Sequence, residues 1–69
     1  MKNKIKKLTD FVSINEGLER LSETAMFRDY SNDEMFFQIW TKDCEAIARK
    51  LIEMGANKQI VAKAAGWVN

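Results

Sequence analysis

Sixty-nine residues leave no room for a two-layer α/β fold with an enzyme cleft, and a domain this small is only marginally stable alone. With 46% hydrophobic and 30% charged residues the composition is globular, while the lack of Pro and the three Gly leave too little punctuation for an all-β fold. One Cys excludes an internal disulfide framework, and the absence of His removes the commonest general base and metal ligand.

No run approaches the ~18 apolar residues of a membrane span, and no signal-peptide pattern follows the basic start. A cytoplasmic protein is therefore expected. The net charge of +1 hides an uneven distribution. Residues 1–7 carry four lysines, +4; residues 8–40 set seven acids against two arginines, −5; the remainder is +2. A positive arm beside an acidic middle suggests self-association or a solvated surface, not a broad stripe for phosphates.

In chain order, residues 1–12 read as a basic arm or a short helix, with Ile5, Leu8 and Val12 as its apolar positions. Ser13-Ile14-Asn15-Glu16 is a capping-box pattern, and Ile14, Leu18, Leu21 and Ala25 follow at helical spacing, which predicts a helix over 14–28. Asp29-Tyr30-Ser31 breaks the chain. Ser31-Asn32-Asp33-Glu34 repeats the capping box, with Tyr30 and Met35 placed as a hydrophobic staple. Phe37, Trp40, Cys44, Ile47, Leu51 and Met54 then form one apolar stripe, and Gly55 suits a left-handed stop, so a long helix is expected over 32–54. Glu45, Arg49 and Glu53 make a charge ladder on its outer side. Asn57 is a fair N-cap for a short helix over 58–65, closed by Gly66. The expectation is one all-α domain: a small three- to four-helix bundle built on an antiparallel helical hairpin, self-associating.

Chemistry is poorly served by these residues. Cys44 lies on the apolar stripe with no His to activate it, so it reads as a buried structural thiol. Glu16, Glu19 and Glu23 share a helix face but lack the Gly-turned loop of a calcium site, and they read as solvated. No Gly-rich phosphate loop occurs. No enzyme, cofactor or metal is expected.

Binding is better served. Residues 35–40, Met-Phe-Phe-Gln-Ile-Trp, are the most aromatic part of the chain. Phe36, Phe37 and Trp40 fall on or beside the core arc, whereas Met35 and Ile39 point to another side. Either a helix of the same chain covers them or they dock a partner or a second copy. Met35 and Ile39 are the expected contacts, with Tyr30 and Trp67 as aromatic anchors and Lys4, Lys6 and Lys7 for electrostatic steering.

Residues 58–67, Lys-Gln-Ile-Val-Ala-Lys-Ala-Ala-Gly-Trp, look like the first half of a helix-turn-helix, with Ala62 as the small packing residue and Gly66 at the turn; a closing C-terminal helix is the plainer reading. A recognition helix would have to follow, and Asn69 is the last residue. Residues 47–66, from Ile47-Ala48-Arg49 through Met54-Gly55 to Ala62 and Gly66, are similar to the C-terminal tail of the recombination-promoting nuclease (PD-(D/E)XK transposase-like) family, which runs from a helix ending in Met-Gly into a short Ala-x-x-x-Gly helix. The catalytic acids and lysine of that family lie in a separate nuclease domain, so the resemblance transfers no activity. It implies a small helical element that binds other proteins. The sequence thus leads to a non-catalytic binding protein that regulates or inhibits a protein partner, of bacterial, phage or plasmid style, with a homodimer as one form of association. The rival is a DNA-binding transcription regulator with an incomplete helix-turn-helix that acts as a dimer.

Overall fold

A computed structural model describes residues 8–68 and contains three helices, α1 (Ile14–Asp29), α2 (Glu34–Glu53) and α3 (Lys58–Ala64), with no strand among the described residues. The chain is all-α. Each helix starts at a side-chain cap. Ser13 Oγ accepts from the Glu16 amide, and Glu16 returns a carboxylate to the amide of Val12, one residue before the cap. Asn57 Oδ1 accepts from the amides of Gln59 and Ile60.

The start of α2 differs from the sequence expectation. Ser31 is not its cap: its hydroxyl donates to the carbonyl of Asp33, and Asp33 takes the cap instead, accepting from the Met35 amide at 2.8 Å. A carboxylate also answers the positive end of the helix dipole, which a hydroxyl does less well. With the cap at Asp33 the staple positions fall on Asn32 and Phe37, so the Tyr30–Met35 staple has no basis. The helix begins at Glu34 rather than at 32.

Two helices stop by the same device. The amides of Gly55 and Ala56 bond the carbonyls of Ile52 and Leu51, and those of Gly66 and Trp67 bond Lys63 and Ala62, with φ of +98° and +76° at the two glycines. These are Schellman motifs, which need a residue in the left-handed region.

α1 and α2 run antiparallel, since Gly17 lies against Leu51 at one end and Phe27 stacks on Trp40 at the other. Leu21 and Ala25 of α1, Cys44, Ile47, Ala48 and Leu51 of α2, and Val61 with Ala65 of the α3 region form the core. Phe11 completes it from outside the helices. Residues 8–12 are not helical, Val12 is fully outward, and Phe11 is sealed in its place. Its ring fits over Gly17, where an added Cβ would collide with the ring and stand 2.6 Å from Leu51 Cδ2. Two cations hold this segment down. Lys50 Nζ donates to the carbonyls of Thr9 and Phe11 and sits 4.7 Å from the Phe11 ring centroid. Arg20 donates to the Leu8 carbonyl and lies over the same ring at 5.8 Å.

Candidate functional site

The apolar stripe of α2 is longer than the core that uses it. Cys44, Ile47, Ala48 and Leu51 are buried, but one and two turns earlier the stripe leaves cover: Phe37 is exposed and Trp40 only half-buried. The first two turns of α2 carry apolar side chains over more than half of the circumference. No single neighbouring helix can cover that arc. The last turn of α1 adds Met26, Phe27 and Tyr30. Phe27 and Trp40 stack across the hairpin with ring centroids 5.3 Å apart, which ties the two sets into one surface.

Of the residues expected to make contact, Tyr30 is 77%, Met35 66% and Ile39 44% exposed, which places all three at this end. Met35 and Ile39 are neighbours on one helix face. Trp67 is not with them. It lines a shallow depression with Ala48 and Ile52, nine to thirteen residues or roughly 14–20 Å along α2 from Ile39. Lys4, Lys6 and Lys7 lie outside the described residues. Phe36 and Phe37, expected on or beside the core arc, are 53% and 44% exposed, and Phe27, which no sequence pattern singles out, is 56% exposed. Periodicity shows how wide the apolar arc is but not that only one helix, α1, packs against this end of α2.

Electrostatics around this end are acidic. Glu23, Asp29, Asp33 and Glu34 are exposed. Arg28 is buried and turns back on its neighbour, with Nε and Nη2 both 3.0 Å from Asp29 Oδ1. Arg20 is occupied by Leu8, Phe11 and Glu16, the last at 3.7 Å. Both arginines of the acidic stretch therefore serve the chain's own packing.

Cys44 is fully buried. Burial pushes its thiol above the usual range; the Arg28 charge opposes this, and Asp43, Asp29 and Glu45 reinforce it. A thiol so placed is held protonated and out of reach, the reverse of what a nucleophile needs. Among the described residues no three His, Cys, Asp or Glu side chains converge to hold a metal ion, and no helix is long and apolar enough to cross a membrane. No protein-family model, curated protein or solved structure matches this chain.

Proposed function

We propose that this chain is a non-catalytic binding protein that regulates or inhibits a protein partner, and that the hairpin end is its contact surface. One observation carries the reading: Met26, Phe27, Tyr30, Met35, Phe36, Phe37 and Ile39 crowd one end of a 69-residue chain and all remain exposed. Single exposed apolar residues are ordinary, but seven of them at one end of so small a domain support a contact surface there. Aromatic and Met side chains are also the types enriched in interface cores.

The test is retention of proteins from native cell extract by the wild-type chain and by a Met35→Asp/Ile39→Asp double variant. The expected outcome is a specific protein held by the first and lost by the second, with equal helical circular dichroism. Identical retention by both chains overturns the reading. DNA binding is the competing function. A shift of duplex DNA at moderate salt that vanishes at high salt would favour it, because phosphate contacts are salt-dependent.

A further inference from the structure

We infer that the hairpin end is a site of reversible methionine oxidation: a hydroperoxide converts Met26 and Met35 to sulfoxides and so withdraws the apolar face from its partner. The consequence for binding rests on the proposed contact surface; the chemistry at the two sulfurs does not.

Sulfur is divided within this fold. Among the described residues it occurs at Met26, Met35, Cys44 and Met54. Cys44 is fully buried, and Met54 is partly buried against the core. Met26 and Met35 are 50% and 66% exposed, and neither is part of the core. Oxidation of sulfur follows access, so an oxidant in water reaches the two thioethers of the contact face and is kept from the thiol the core needs.

Both side chains sit where a change of polarity counts. Met26 is in the last turn of α1 and lines a hollow with Tyr30, and Met35 precedes Ile39 by one turn of α2. Each helix of the pair thus gives the face one oxidisable side chain. The thioether sulfur donates an electron pair to one peroxide oxygen, the O–O bond breaks, and the other oxygen leaves as water with the peroxide's protons. Sulfur is oxidised by two electrons and the peroxide reduced by two. The product is a polar acceptor, and pressing it against an apolar partner carries a desolvation cost. In the free chain the added oxygen stays in water, so the fold is little affected. Methionine sulfoxide reductases reverse the step: a dithiol becomes a disulfide, the oxygen leaves as water, and the thioether returns.

The experiment treats the full chain with hydrogen peroxide and follows each methionine by peptide mass spectrometry. Met26 and Met35 are expected to gain one oxygen about tenfold faster than Met54, with Cys44 unmodified and helical circular dichroism unchanged. Treated and untreated chains are then presented to untreated native cell extract. The protein held by the untreated chain is expected to be retained about tenfold less after oxidation, and to return once both sulfoxide epimers are reduced enzymatically. A Met26→Leu/Met35→Leu variant, whatever its own level of retention, is expected to show no change on treatment. If that variant retains nothing or loses helix, recovery by the reductases decides in its place. Equal rates at Met26, Met35 and Met54, or loss of helix as the first two oxidise, overturns the inference. So does loss of retention on treating the Leu variant, or failure of the reductases to restore it, since either puts the sensitive group elsewhere. Undiminished retention by the oxidised chain, where Met35→Asp/Ile39→Asp abolishes it, overturns the inference alone. Retention insensitive to both overturns the contact surface as well.

Discussion

The two ends of the α1–α2 pair are built from similar material and put to different use. At the Gly17–Leu51 end an aromatic ring, Phe11, is sealed between the helices and held by Lys50 and Arg20. At the Phe27–Trp40 end the aromatic rings stack on each other and face outward. What differs is a missing side chain. Gly17 opens a slot at one end, and at the other the helices carry bulk with nothing above it. The lesson is that an aromatic ring becomes core only where the opposing element leaves room, so the count of apolar residues does not locate the core.

The comparison is broken most forcefully at the slot. Phe11→Ala should cost about 3–5 kcal/mol, and urea unfolding followed by circular dichroism should show a midpoint close to zero for a domain this small. Gly17→Val should do likewise by evicting the ring, since even a Cβ meets Leu51 at 2.6 Å. Lys50→Met keeps the stem but leaves the Thr9 and Phe11 carbonyls without their donor, an expected loss of about 1–3 kcal/mol in the same measurement. Gly55→Ala sharpens the contrast between two kinds of glycine. It meets no atom within 4 Å but sits at φ +98°, so its loss of about 1–2 kcal/mol is purely conformational. At the hairpin end Met35→Asp should change folding stability by no more than about 0.5 kcal/mol, because the side chain is already in water.

Cys44 supplies a prediction in pH. Its folded thiol titrates above its ordinary value of 9.0, so the unfolded chain loses the proton first and stability falls as pH rises past 9. A thiol reagent at pH 8 should label the native chain slowly and the urea-unfolded chain fast. Rapid labelling of the native chain would contradict the burial.

What the sequence disclosed and what it withheld divide along the same line. Ser13, Asn57, Gly55 and the Leu21/Ala25 and Cys44/Ile47/Leu51 stripes act through bonds or spacings of a few residues, and all are legible locally. Asp33 was obscured because two good caps, Ser31 and Asp33, stand side by side and a contest between them is settled by geometry. Phe11 was invisible for a deeper reason. Its place depends on Gly17, Leu51 and Lys50 together, up to about forty residues away. Met35, Ile39 and Tyr30 were singled out by composition; that Phe27 and Phe36 join them, and that Trp67 does not, follows from where α1 ends and where α3 lies.

The Phe11 plug has a bearing on how the chain is made. Synthesis proceeds from the N-terminus, so this ring leaves the ribosome long before Lys50 and Leu51, the far wall of its slot, have been translated. Until they emerge the ring has nowhere to go, and α1 cannot close on α2 around it. A nascent chain stalled between Phe11 and Lys50 would display a greasy, unfinished hairpin to any chaperone or protease nearby.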